Sequence, residues 1–283
     1  MTWQIFTLIS VVSLSLSVIL QRVLIHKDKV DPFSYAIVFQ GIVGALLMIV
    51  ALFYGFSLPG IENLLLPAAI SIVCFGVGHI FYAKTLQKVE ASGFSVLFAT
   101  QALWRMLLGL VLLGERMSAL QIIGTGLIFV SVAILAKNLA AIFKERGTVL
   151  GLTTGLLFGI AIYFWSYVGR HTDGLSWAAI SFVATALLVF ALRPSAAHNM
   201  KPLLRIPTLT KLCIMSAFYG LGSLMMLFAY QTGAFALVSP LRQTSIIVTV
   251  LLALALLPKE RNNISRKITA AAICMLGVIL IVT

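Results

Sequence analysis

The chain has 283 residues, 61% of them hydrophobic and only 10% charged, with a mean hydropathy of +1.09. A soluble protein of this length is nearer half apolar and a quarter charged, so a soluble fold is excluded and an all-α integral membrane protein is expected. The formal net charge of +12 does not point to nucleic acid as a partner. The basic residues fall in short links between apolar runs, where they favour the inner leaflet of a membrane and its lipid.

Apolar runs of about 20 residues predict ten transmembrane helices, over 2–21, 33–54, 63–83, 91–113, 118–136, 148–169, 176–192, 210–230, 236–257 and 266–283. Met1-Thr2-Trp3-Gln4 has no positive segment, and no small-residue cleavage site precedes Gln21-Arg22. The first helix is therefore expected to be retained. The longest link, about 193–209, carries Pro194, Pro202 and Pro207 and is expected to be extended or interfacial. The other links leave no room for a soluble domain.

Sixteen Lys and Arg lie in the links after predicted helices 1, 3, 5, 7 and 9, whereas the other links and both ends hold only Arg116 and Arg170. That bias puts the odd-numbered links in the cytoplasm and both termini outside, in a multi-pass protein of the cytoplasmic (inner) membrane.

The chain also repeats itself. Leu112-Leu113-Gly114-Glu115-Arg116 closes helix 4, and Leu257-Pro258-Lys259-Glu260-Arg261 closes helix 9, with the two Glu-Arg pairs 145 residues apart. This divides the chain into two five-helix halves, 1–140 and 141–283. Five is odd, so the second half enters the membrane inverted, which is the usual build of an alternating-access transporter with its site between the halves.

With its Glu-Arg turns after helices 4 and 9, and the stretch Ser239-Pro240-Leu241-Arg242-Gln243-Thr244-Ser245 at the head of helix 9, the chain resembles the drug/metabolite transporter superfamily, in particular its EamA-type ten-helix members. The resemblance covers the whole chain. It implies a secondary transporter with a central cavity lined mainly by helices 1, 3, 4, 6, 8 and 9. Helix 4 departs from the pattern, with Ser95 and Phe98 where helix 9 has Pro240 and Gln243.

The acidic residues, Asp28, Asp31, Glu62, Glu90, Glu115, Glu145, Asp173 and Glu260, all lie in links or at helix ends. A buried carboxylate for exchanging a cation against a proton is therefore missing, as are paired carboxylates for hydrolysis and most metal-ligand sets. Cys74, Cys213 and Cys274 sit within apolar runs and read as packing residues. No nucleotide-binding loop is present. An enzyme is not expected, and neither is a cofactor or metal.

Two cations fall within predicted helices. Arg105 lies roughly 12 Å inside the end of helix 4, and Arg242 roughly 9 Å inside the start of helix 9, at 1.5 Å per residue. A charge at such depth costs a few kcal/mol or more without a partner. Guanidinium suits a carboxylate or phosphate through two parallel hydrogen bonds, so both are candidates for holding an anionic solute. The plain alternative is a stem that snorkels to the interface. Gln243 and Ser245 follow Arg242, and Pro240 occupies a first turn where its missing N–H costs little.

Further candidates for the cavity wall are Trp104, Trp165, Tyr219, Gln101 and Tyr82. Gln101 and Gln40 equally suit bonding between helices. His79 is a possible proton-coupling group, with a neutral histidine bonded to its surroundings as the alternative. Gly151, Gly155 and Gly159, spaced by four, favour close helix packing, with any gating following from it.

The leading expectation is a secondary transporter for a small polar metabolite, anionic or zwitterionic: an amino acid, another carboxylate or a phosphorylated compound. An exporter of amphipathic or aromatic compounds with structural arginines is the alternative within transport. A membrane-embedded receptor or enzyme is the alternative of another class. A monomer or loose dimer is expected.

Overall fold

Two carboxylates start two of the helices. Asp31 accepts hydrogen bonds from the Ser34 amide at 2.9 Å and the Ser34 hydroxyl at 2.8 Å, and Pro32 follows at the first helical position. Asp173 accepts from the Ser176 amide at 2.9 Å. Both satisfy amides that a helix start leaves without intrahelical partners. The first of these helices stops at Gly55, whose φ of 103° is the left-handed conformation that ends helices.

The computed structural model describes residues 3–27, 30–58, 60, 62–104, 107–108, 118–135, 145–232, 238, 241–242, 244–257 and 263–282. Within them the helices are α1 (Trp3–Lys27), α2 (Pro32–Tyr54), α3 (Leu65–Lys88), α4 (Ala91–Ala99), α5 (Ala119–Leu135), α6 (Arg146–His171), α7 (Gly174–Leu192), α8 (Ile206–Thr232), α9 (Ser245–Leu256) and α10 (Ile264–Val282). Seven of these are long and apolar enough to cross a membrane, and α5 and α9 are shorter apolar helices. No strand occurs among the described residues.

The helices pack in pairs drawn from opposite halves of the chain: α1 with α8, α2 with α7, α3 with α6, α4 with α9, and α5 with α10. Four of these pairs are antiparallel. Ser10 and Ser17 of α1 donate to the carbonyls of Gly222 and Met215 on α8, at 2.6 and 2.8 Å. Gly41 and Gly44 of α2 meet Ala186 and Val183 of α7. Thr85 and Thr154 join α3 to α6 at 3.2 Å, while Gly78 faces Phe158. In the α5–α10 pair, Gly124 reaches Ile281 and the Arg266 Nε donates to the Ile134 carbonyl at 2.5 Å. The α4 and α6 helices run parallel instead, with Leu97 against Gly151 and Trp104 against Gly159.

Several helices outrun their apolar stretches. The first helix, expected to stop at 21, continues to Lys27, so Arg22 is a helical residue, 7% exposed, donating to the Leu86 carbonyl of α3. The third runs to Lys88. Polar ends of membrane helices reach the interface while still helical, and a hydropathy window stops short of them. The link over 193–209 is not extended. It holds a 3₁₀ helix, Pro194–Met200, tucked beneath α2, where Ser34 donates to the Ala196 carbonyl at 2.9 Å. The predicted helix over 91–113 breaks at Thr100, beyond which residues 101–104 and 107–108 are helical.

Candidate substrate site

A cavity opens where α1, α3, α4, α6, α8 and α9 converge, the six helices that the resemblance implies. Water centres can occupy about 100 Å³ of it, enough for several waters or one small solute.

One side of the lining is aromatic. Tyr82 of α3, Phe94 and Phe98 of α4, and Phe158 of α6 form a continuous cluster. Ring centroids are 4.7 Å apart for Tyr82–Phe94, 5.2 Å for Phe94–Phe98 and 4.9 Å for Phe98–Phe158. Tyr219 of α8 lines the cavity as well. The hydroxyls come mainly from α1 and α9. Thr249 donates to Ser15 at 3.0 Å, and the Ser15 hydroxyl reaches the Ser245 carbonyl at 3.4 Å. Ser95 bonds back to the Ser92 carbonyl at 2.8 Å, so it contributes volume and polarity with its donor already used.

Three lining residues carry buried polar atoms with no hydrogen-bond partner among the described residues: the Tyr82 hydroxyl, the Gln101 Oε1 and the Arg242 Nη1. Buried polar atoms are nearly always bonded in native structures, so each such exception calls for an explanation. Here three of them line one cavity, and one belongs to a guanidinium. None of the described residues that line it is acidic.

The candidate residues fall into three groups. Arg242, Ser245, Tyr219, Gln101 and Tyr82 come together in this cavity. Arg105, Gln243 and Pro240 lie outside the described residues. Trp104, Trp165 and His79 lie away from the lining. Trp165 is 8% exposed; its indole donates to Ser181 at 2.9 Å, and its carbonyl accepts from the Trp177 indole at 3.0 Å. It therefore ties α6 to α7. Trp104 packs against Gly159, and its indole nitrogen is buried with no partner among the described residues.

His79 is 1% exposed and sits behind the cavity wall. Its Nδ1 donates to the Phe75 carbonyl at 3.1 Å. Phe39, Phe75, Tyr82, Phe158 and Tyr219 surround the ring, with Phe158 nearest at 4.8 Å between centroids.

The glycine row on α6 receives the continuation of α4. A Cβ on Gly151 would stand 2.6 Å from Leu97, one on Gly155 would meet the Thr100 hydroxyl, and one on Gly159 would stand 2.7 Å from Trp104. No larger residue fits while α4 stays this close, so the row fixes the distance between two walls of the cavity.

Ser15, Thr249, Phe94, Phe98 and Phe158 line the site without standing out in the sequence reading. A signal did exist for Ser15. The first helix holds Ser10, Ser13, Ser15 and Ser17, all buried, a density of hydroxyls that lipid-facing surface does not need. The phenylalanines carry no such mark, because Phe is ordinary in any membrane helix.

The EamA-like transporter family model matches residues 1–137. The match covers just under half of the chain, and over that segment the chain is similar to the family. The EamA-type resemblance read from the sequence is thus found over residues 1–137, and that match together with the long apolar helices supports a multi-pass membrane protein of drug/metabolite-transporter type. No curated protein matches the chain. A crystal structure described only as that of a protein is similar over 99% of this chain and 97% of its own, with a TM-score of 0.64 at 17% identity. That likeness concerns the fold alone.

Proposed function

We propose that this protein is a secondary transporter that moves a small anionic or zwitterionic metabolite by alternating access, with the anionic group held by Arg242. The observation that carries the reading is the guanidinium in a cavity whose described lining holds no acid, with one of its nitrogens buried and without a partner among the described residues. A cation kept at that depth without a protein anion is stabilised by an anionic solute. Gln101 and Tyr82 supply two further polar groups ready to bond a ligand.

The proposed scaffold is ten membrane spans in two inverted five-helix halves, in the cytoplasmic membrane with both termini outside. Supporting it, α2 and α7, which occupy equivalent places in the two halves, are antiparallel, and so are α5 and α10. The pairing of α1 with α8 is matched by that of α6 with α3, as exchange of the halves requires. In the second half the cavity takes Ser245 of α9 and Arg242 just before that helix, and in the first it takes Phe98 of α4 and Gln101 just after that helix.

The aromatic cluster favours a second reading, export of amphipathic aromatic compounds with Arg242 structural. Solute counterflow into proteoliposomes separates the two. With a panel of carboxylates, amino acids and phosphorylated compounds, Arg242→Ala and Arg242→Lys should each abolish the exchange that wild type shows. Wild-type rates from both variants, in normally folded protein, would overturn the anion-site reading.

A further inference from the structure

The charge balance and the wall chemistry of the cavity narrow the substrate class. Resting on the anion site proposed above, we infer that the preferred substrate is a monoanion with a flat, apolar or aromatic body and no ammonium group.

The first ground is net charge. Arg242 contributes one positive charge, and none of the described lining residues contributes a negative one. Among the described residues, Asp31, Glu90, Glu145 and Asp173 each stand immediately before a helix. A bound monoanion makes the occupied site neutral. A zwitterion leaves it at +1, and a cation raises it to +2. Removing an uncompensated charge from water is costly in a low-dielectric site, so each added ammonium works against binding.

The second ground is shape. Tyr82, Phe94, Phe98 and Phe158 present a contiguous aromatic surface within the same cavity as the guanidinium. Aromatic faces gain most from another planar ring, stacked or edge-on. Ile162 and Ile246 extend the apolar lining. A short hydrophilic acid would leave this surface without an apolar partner.

The third ground is the free acceptor. Gln101 Oε1 is buried and has no partner among the described residues. A neutral hydroxyl or N–H on the ligand would satisfy it and would add no charge. The cavity thus accommodates a hydroxylated or N–H-bearing aryl carboxylate at least as well as a plain one.

A matched series tests this on the purified full-length protein, by thermal stabilisation across a concentration range. The probes are 3-phenylpropionate, phenylalanine, phenethylamine and propionate. The first three share a ring and a short side chain and differ chiefly in charge; the fourth lacks the ring. The expected result is that 3-phenylpropionate binds at least about tenfold more tightly than phenylalanine or propionate, with no response to phenethylamine. Arg242→Gln should remove the response to 3-phenylpropionate. Phe98→Leu, which keeps the cation and an apolar side chain, should narrow the gap between 3-phenylpropionate and propionate.

Phenylalanine binding as tightly as 3-phenylpropionate would overturn the exclusion of ammonium. Propionate binding equally well would overturn the aromatic body, and no response to any probe would overturn the class altogether. In each case the transport reading is judged separately. Arg242-dependent counterflow of any other anion leaves it standing, and absence of such counterflow removes it.

Discussion

Thr100 and Thr244 make the same pair of hydrogen bonds in the two halves of the chain. Each hydroxyl donates to the carbonyl three residues back, Leu97 or Leu241, at 2.7 Å. Each backbone amide donates to that same carbonyl at 3.2 Å. A hydroxyl bonded back in this way competes with the regular helical ladder and bends the helix. The residue immediately after each threonine, Gln101 or Ser245, lines the cavity. The shared device aligns Leu97-Phe98-Ala99-Thr100 with Leu241-Arg242-Gln243-Thr244. That is one residue out of step with the register of the Glu-Arg turns, and it sets Phe98, rather than Leu97, opposite Arg242. In this register Arg242 has an aromatic counterpart, so the two halves place a cation and a ring at equivalent positions.

Thr100→Val and Thr244→Val should therefore act alike. Each removes one hydroxyl–carbonyl bond, worth about 0.5–1.5 kcal/mol, and each should raise the half-saturation concentration for transported solute by shifting the residue that follows. Melting of the purified variants and counterflow kinetics check both parts. A functional effect from only one of the two would break the equivalence.

Gly155→Ala should destabilise strongly for its size. Its Cβ would collide with the Thr100 hydroxyl and stand 3.3 Å from the Leu97 carbonyl. Overpacking of this kind costs about 1–3 kcal/mol. Gly126→Ala is the control: nothing lies within 4 Å of the added atom, and exchange of Gly for Ala within a helix favours it slightly. Thermal melting of the two variants should separate them clearly, with Gly155→Ala lower.

His79→Phe should leave the pH dependence of transport unchanged between about pH 5 and 8, the range in which histidine ordinarily titrates. The ring is enclosed by aromatics, donates to its own helix and does not line the cavity. Transport measured against pH in proteoliposomes decides the matter. A flattened profile in the variant would restore His79 as the proton-coupling group.

A reporter fused after Thr283 should be active outside the cytoplasm. The Lys and Arg bias between links predicts this orientation, and the antiparallel α5–α10 pair agrees with the proposed inversion of the two halves. Activity on the cytoplasmic side would reverse the placement of Arg242 relative to the two faces of the membrane.

The membrane class and the positions of the helices were legible because bilayer thickness imposes a length that hydropathy reports directly. Arg242 was legible for a related reason, since a charge inside an apolar run stands out in one dimension. The phenylalanine part of the wall was not legible. Phe94, Phe98 and Phe158 become significant only when α4 and α6 are side by side, and α6 approaches because Gly151, Gly155 and Gly159 leave room for Leu97, Thr100 and Trp104. Trp165 shows the converse: an indole well inside a helix suggested the cavity, but Ser181 and the Trp177 indole occupy its hydrogen-bonding groups. Helix ends were underestimated wherever cations prolonged a helix past its apolar run, as at Arg22 and Lys88.

The most direct test of the anion site is equilibrium binding to purified wild type and to Arg242→Ala of the anion that wild type exchanges fastest. Loss of a charge-assisted pair worth about 1.5–3 kcal/mol corresponds to an affinity about 10- to 100-fold weaker in the variant. Equal affinity in the two proteins, both folded, would contradict the assignment of Arg242 as the residue that holds the anion.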